Sequence, residues 1–566
     1  MHVLSHSHMD VGWLQTVDDI YTNVVRNIYN STIRGLNQNS RRRFVAAESV
    51  FFSRWWHEQS DEVRSMVRDM VDSGRLQFVG GGWVQNDEAV PHYTTIIDQM
   101  TLGLRFLNDT FGPQCGTPSV AWQADPFGHS VSQASLLARM GFSSLMIGRI
   151  TFDLKDKWSQ SRSLEFDFTG HGSSTHLLDE SLCEMSNGRD VRNCAGGDGG
   201  HIFAWVPENT YVNPNHISFA PEYCSYGEEP DEFPDTKTPG LLIMYAKRQA
   251  EMYTNDTVAM MSGGDLAFSH GDCRFQRQDA LIAAANEMAQ VTGHREPVHV
   301  VHSTPACYVE ALSAKSRTWP RYSGDLLPYT DRTGRTWTGF YTTRPNQKML
   351  VRYANGFLQA SEAVATLLHH DAITGTSMDE VAKDYTAILS GGIESCERLV
   401  STALVSLLDP GILRTEEVAK RLGYCHLLNQ SDCQHTAADH KAPQFGVVIY
   451  NPASVRVSPY VRLPVSIDSS VLLSVTGPGG TKVESQRLLA GRLLKDLQPV
   501  TLAANQFLPN ATRQHWPTAR LGLQRPHVES IRMTSPEVMI VPSTGDNVVR
   551  LKPRQIVTFL ATVVDE

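Results

Sequence analysis

Over roughly its first three hundred residues this 566-residue chain alternates short apolar runs with stretches of helical period. The apolar runs are HVLSH (2–6), RFVAAESV (43–50), RLQFVGG (75–81), SVAWQAD (119–125), SLMIGRI (144–150), TVAMMSGG (257–264) and VHVVHST (298–304). Between them lie amphipathic segments such as WWHEQSDEVRSMVRDMVDSG (55–74), which stops on a glycine cap, and HYTTIIDQMTLGLRFLNDTFG (92–112). Strand–helix alternation predicts a mostly parallel sheet with helices on both faces. In such folds chemistry falls at the carboxyl ends of the strands. Residues 170–240, polar, glycine-rich and then acidic, read as surface insertions.

The first strand runs into HSHMDVGW. Side chains at alternate positions of a strand share a face, so His6, His8 and Asp10 converge on one side before a glycine turn. That arrangement suits a metal or a polar substrate; the bland reading is a polar strand edge with solvated histidines, and geometry alone does not choose between His6 and His8. Two further aspartates fall at strand ends. Asp125 stands where AWQAD meets a proline turn, and Asp265 follows a glycine pair that lets backbone approach a ligand. Each taken singly also reads as an ordinary turn residue.

From about residue 345 the period becomes helical. NQKMLVRYANGFLQASEAVATLLHH (346–370) predicts one long helix, and Ser377-Met-Asp-Glu380 opens a second that runs to about Leu408. The pair reads as an antiparallel helical bundle. Between them His369, His370 and Asp371 precede a glycine turn. A histidine at a helix end usually serves the helix dipole. If the hairpin covers the strand ends, one of the two completes a His/Asp cluster. Donors of N and O type without thiolate suit zinc or another divalent ion in an open site. After residue 443 apolar–polar alternation predicts a third, β-rich part.

The expected organisation is thus multidomain α/β + α + β: a β/α barrel-like catalytic domain over 1–315, a helical bundle over 316–410 and a β-rich region over 411–566. A net charge of −10 and a pI near 6.1, with no basic run, argue against nucleic-acid binding. No stretch has the about 18 uninterrupted apolar residues of a membrane helix, and no secretory signal is read at the N-terminus. Nine cysteines show no CxxC spacing; Cys425 and Cys433 are close enough for a short disulfide loop. Sequons stand at Asn30, Asn108, Asn255, Asn429 and Asn510 and, with that cysteine pair, tilt the expected compartment toward the secretory or lysosomal one. A homo-oligomer is compatible with the sequence, which does not set the oligomeric state.

Seven segments in order carry a resemblance: HSHMDVGW, GGWVQNDEAV, AWQADPFGHS, IGRITFDLKDK, SGDLLPYTDR, WTGFYTTRP and HHDAITGT. They resemble the successive motifs of glycoside hydrolase family 38, nearer its lysosomal branch. The resemblance implies a retaining, zinc-dependent exo-α-mannosidase acting on the mannose of N-glycans in a lysosomal or related acidic compartment. It implies zinc ligands at His8, Asp10, Asp125 and His370, a nucleophile at Asp125 and a general acid/base at Asp265. It further implies sugar contacts from Trp13, Phe127, Arg149 and Asp371, with His6 and His369 turned elsewhere. Around Asp265 the chain departs from the family, reading Leu266-Ala267-Phe268 where an aromatic is commonly nearer. Family members are longer, and the part missing here falls in the C-terminal β region, with the join near 485–498. Residues 480–545 are therefore expected to be irregular and the β part too short for two sheets. This keeps open an impaired relative that retains only metal or mannose binding. A zinc-dependent deacetylase on a similar barrel would also use His and Asp, but explains neither HHDAITGT nor the Trp-rich motifs.

Overall fold

The structure is a computed structural model. It describes residues 1–169, 201–214, 217, 238–291, 298–315, 318–357, 361–407, 423–424, 444–450, 472–476, 482–483 and 556–564. Cys425, Cys433, the sequons at Asn429 and Asn510, and residues 484–555 lie outside these. The chain divides into two compact units, Met1–Val351 with Gln359–Leu389, and Arg352–Leu358 with Ser390–Glu566.

In the first unit all seven expected strands form, each shorter than its apolar run. They are β1 (His2–Ser5), β2 (Phe44–Ala46), β3 (Leu76–Phe78), β4 (Val120–Gln123) and β5 (Ser144–Ile147), then β8 (Ala259–Ser262) and β9 (Val301–Ser303). Two more, β6 (Glu165–Thr169) and β7 (His201–Trp205), lie between them in sequence. β1 sits between β8 and β9, β2 pairs with β3, and β4 pairs with β5, all parallel. A single bridge, His6 to Val45, joins β1 to β2, and the Gly80 amide donates to Val120 O across the β3–β4 step. β5 continues parallel to β7, but β6 runs antiparallel to β7.

β7 corrects the reading of 170–240 as surface insertions. HIFAW is a largely buried strand inside the sheet, and polar flanking sequence hid it. The expected helix over 55–74 is also two helices, Ser49–His57 and Asp61–Asp72. Ser60 accepts a hydrogen bond from the Val63 amide and so caps the second, a stronger local signal than the continuous apolar period. Likewise the expected helix over 346–370 breaks into Pro345–Phe357 and Glu362–Thr366, the latter capped by Ser361. The chain then turns, so His369 and His370 stand in an irregular segment, and the helix Asp379–Leu407 follows.

Apolar residues of the β8–β1–β9 sheet and of the β2–β3 and β4–β5 pairs close the core. Leu4, Val45, Val79, Trp122, Met146 and Met261 pack together beneath the strand ends. In the second unit, the described strands Gln444–Tyr450, Leu472–Thr476, Lys482–Val483 and Ile556–Val564 form one four-stranded antiparallel sheet.

Candidate metal and carboxylate centre

The site is built at the carboxyl end of β1. His8 leaves the strand in register with the segment after β8, its amide donating to Gly264 O and its carbonyl accepting from the Leu266 amide. Gly263 permits this approach, since a Cβ there would meet His6 O at 2.3 Å. Asp125 follows β4 by two residues. His370 arrives from the other end of the unit, where an antiparallel bridge pairs Asn86 with His369 and the Asp87 amide donates to Leu368 O.

These three segments bring together two imidazoles and two carboxylates. His8 Nε2 lies 2.9 Å from Asp10 Oδ1 and 3.5 Å from Asp125 Oδ2. His370 Nε2 lies 3.2 Å from Asp10 Oδ1 and 3.2 Å from Asp125 Oδ2. One donor atom from each of the four falls within 4.8 Å of every other. For comparison, adjacent donors around a tetrahedral ion with bonds of roughly 2.1 Å are about 3.4 Å apart.

The protonation pattern agrees with a cation-binding centre. His370 Nδ1–H donates to Gln85 O at 3.1 Å, which leaves Nε2 to face the centre. That Nε2 is buried and has no hydrogen-bond partner, although two carboxylate oxygens lie close. Burial would lower both imidazoles, yet Asp10 and Asp125 raise His8 and His370 well above the usual histidine value. Burial would likewise raise the two carboxyls, and the histidines hold both well below the usual range. Protons on the two imidazoles thus balance the two carboxylates, and a divalent ion, which binds neutral imidazole and ionised carboxylate, fits the same place in exchange for those protons.

His369 differs from expectation. Its ring is fully buried, and Nε2 lies 3.5 Å from Asp10 Oδ1 and 3.7 Å from Asp371 Oδ2, so Asp10, His369, His370 and Asp371 form a second, overlapping donor set. The turn after Leu368 is the reason, because the two histidines are not held on a helix that would splay them. His6 is turned away and donates from Nε2 to Tyr211 O at 2.7 Å.

Arg149 binds the other oxygen of Asp125, Oδ1, from both Nε and a terminal nitrogen. Its guanidinium is ringed by Trp337, Tyr211, Tyr329 and Phe127, whose centroids lie 5.4, 5.9, 5.9 and 6.0 Å from Cζ. Phe127 also meets the His370 ring edge-on at 6.0 Å. Asp371 is buried and its carboxyl is pushed up to about 7, chiefly by burial, while Thr376 Oγ1 donates to it. Trp13 is 38% exposed at the rim, its carbonyl accepting from the Met378 amide.

Asp265 is exposed and sits directly across from His8 in the parallel register. Residues opposite in such a pair share a face, and the Asp265 charge adds to the burial that pushes the Tyr211 hydroxyl up. Just beyond it Leu266 and Phe268 adopt φ of 50° and 69°, a strained pair for apolar side chains.

Four lining residues escaped the sequence reading. Tyr211 lies 4.5 Å ring to ring from His8 and came from the segment read as insertion. Tyr385 Oη lies 2.6 Å from both Val11 O and Gly12 O, holding the turn after Asp10. Gln85 and Glu48 stand behind His370, and only Gln85 lay in a quoted motif.

Against this geometry stand the comparisons. The description "Glycosyl hydrolases family 38 N-terminal domain" matches residues 1–332. The chain belongs to glycosyl hydrolase family 38. Within the family, the lysosomal alpha-mannosidase of Cavia porcellus is 36% identical over 523 residues, covering 86% of this chain and 48% of that protein. The Homo sapiens lysosomal alpha-mannosidase is 35% identical over 546 residues, covering 90% of this chain and 50% of its own length. The chain therefore spans about half the length of these curated relatives. Among solved structures, an alpha-mannosidase from Enterococcus faecalis V583 superposes with a TM-score of 0.53 at 14% identity, over 100% of this chain and 54% of that one. At that identity the likeness is one of fold. The matched family segment holds His8, Asp10, Asp125, Arg149 and Asp265, whereas His370 and Asp371 lie beyond it.

Proposed function

We propose that this chain is a retaining exo-α-mannosidase that removes terminal α-linked mannose from N-glycans, with Zn2+ held by His8, Asp10, Asp125 and His370. The observation that carries the reading is the convergence of those four donors within 4.8 Å from segments at both ends of the first unit. Zinc bound there would engage adjacent sugar hydroxyls and favour a flattened ring.

The residues divide the remaining work. Asp125 is the nucleophile: Arg149 on one oxygen and the histidines on the other keep it ionised and aimed. It attacks the anomeric carbon while the bond to the leaving oxygen breaks, and Asp265 gives that oxygen its proton. Asp265 then takes a proton from water, the water oxygen attacks the same carbon, and Asp125 is released. Two inversions retain the α configuration. Trp13 and Phe127 offer apolar faces to the sugar, and Asp371 a carboxyl to its hydroxyls. On this reading residues 1–315 are catalytic, 316–410 lend His370 and Asp371, and 411–566 form the β-rich part.

An acidic lysosomal compartment fits a proton donor that must start protonated. Cys273 is disulfide-bonded, as an oxidising route of synthesis allows, with its partner outside the described residues. Of the sequons, Asn255 is buried at 2% exposure and is not offered for modification in the folded chain. Among the described residues no helix is long and apolar enough to cross a membrane. The deciding experiment is turnover of an α-mannoside by the expressed chain, before and after verified metal removal. Turnover that survives complete removal overturns the zinc role, and none under any condition overturns the hydrolase reading.

A further inference from the structure

Glu48 breaks a local rule. It occupies the N-cap of the helix Ser49–His57, where a short polar side chain normally accepts from the first-turn amides, and its carboxylate makes no such bond. The side chain is instead buried at 2% exposure and turned onto Gln85. Oε2 accepts from the Gln85 amide at 2.9 Å and Oε1 from Gln85 Nε2 at 2.6 Å.

Gln85 is committed at every polar group. Its Oε1 accepts from the Ala124 amide at 3.0 Å, next to Asp125, and its carbonyl accepts from His370 Nδ1. One carboxylate therefore fixes one glutamine, and that glutamine fixes both a histidine ring and the backbone leading to an aspartate. Gln85 thereby ties the residues just past β2 and β4 to the His370 segment. A buried carboxylate is a costly way to hold an amide, so an effect beyond local packing is expected of it.

We infer that Glu48 is a positioning residue which, through Gln85, sets the His370 ring and the Asp125 backbone and thereby the affinity of the four-donor centre for a divalent ion. The inference rests on the zinc reading above. Partners behind ligating histidines typically matter by roughly 10- to 100-fold in metal affinity.

The test is metal binding rather than turnover. Zn2+ affinity is measured by chelator competition and Co2+ substitution is followed by its visible absorption, on the whole chain. Glu48→Gln keeps the shape but sets an amide donor against a Gln85 donor. Its metal affinity should fall roughly 10- to 100-fold, with altered cobalt bands. The exchanged pair Glu48→Gln with Gln85→Glu can remake all three hydrogen bonds and should recover affinity and spectrum. It also serves if the single variant fails to fold. Lower stability of the metal-free protein with unchanged affinity and bands would make Glu48 merely structural and overturn the inference. A doubly exchanged protein that folds but binds as weakly as the single variant would do the same. If the unaltered protein binds neither ion, the zinc reading itself falls, and this inference with it.

Discussion

Asp265 pairs with His8 in an isolated parallel bridge that keeps the offset of His2 against Ala259. A carboxylate just past the neighbouring strand is thereby placed across from a histidine of the four-donor cluster. Asp265 is exposed and belongs to neither donor set found among the described residues, whereas Asp125 is buried among His8, His370 and Arg149. Two carboxyl groups in such different surroundings take different roles.

Kinetics separate those roles. Asp125→Ala should abolish hydrolysis of every α-mannoside. Asp265→Ala should lose about 10²- to 10⁴-fold on natural linkages yet keep most activity on aryl mannosides with good leaving groups. Equal losses on both substrate types would remove Asp265 from the acid role, and early NMR of the product should show the α anomer.

The two overlapping donor sets can also be told apart. His370→Ala should cost metal affinity whichever set is used, since the residue belongs to both. His8→Ala should cost as much, and His369→Ala much less, if the ion sits between Asp10 and Asp125. The reverse order in a chelator titration would move the ion to the His369–Asp371 side.

Stability should depend on pH through Asp87. Burial pushes its carboxyl up to about 6, with Glu88 adding to the rise and His370 opposing it, while the Val90 and Ala89 amides donate to it. Its folded value lies above the unfolded one of about 3.9, so between the two the folded protein binds more proton. Its contribution is then fully favourable below about pH 4 and is lost as pH rises through 6, on the order of 3 kcal/mol. Asp87→Asn should remove this dependence; denaturant unfolding at pH 4.5 and 7 reads it as a smaller difference than in the unaltered protein.

Gly12 should tolerate no side chain. Its φ is +90°, and an added Cβ would lie 2.5 Å from Tyr385 Oη. Gly12→Ala should cost about 3 kcal/mol in equilibrium unfolding. Adding Tyr385→Phe should return part of that by removing the hydroxyl. No recovery would mean that the backbone strain, and not the contact, dominates.

How much of this could be read beforehand varies with the kind of signal. β1, β4 and β8 were legible because continuous apolar runs end in His, Asp or Gly-Gly-Asp, which marks both strand and site. β6 was not, because only five residues, EFDFT, carry its pattern; Glu165 in it is fully buried, accepting from Tyr308 Oη and the Thr254 amide. Period counting does not see long-range partners of that kind. The same holds at the site. His8 and Asp10 were visible as neighbours on a strand, but Glu48 and Gln85 matter through contacts with residues far along the chain. Nor could spacing place His369, since the turn that brings it to Asp10 depends on the bridge to Asn86.

That bridge also bears on the order in which the molecule assembles. Asn86 and His369 are remote in sequence, and loop-closure entropy makes such a pairing late to form. Until it does, His370 is absent and the remaining donors form an incomplete cage. Tight metal capture therefore cannot precede docking of the distant segment, and an ion taken up afterwards would fasten the two ends of the unit together. Metal uptake during refolding should lag behind the gain of helical signal, which makes it a clock for the last long-range step of the fold.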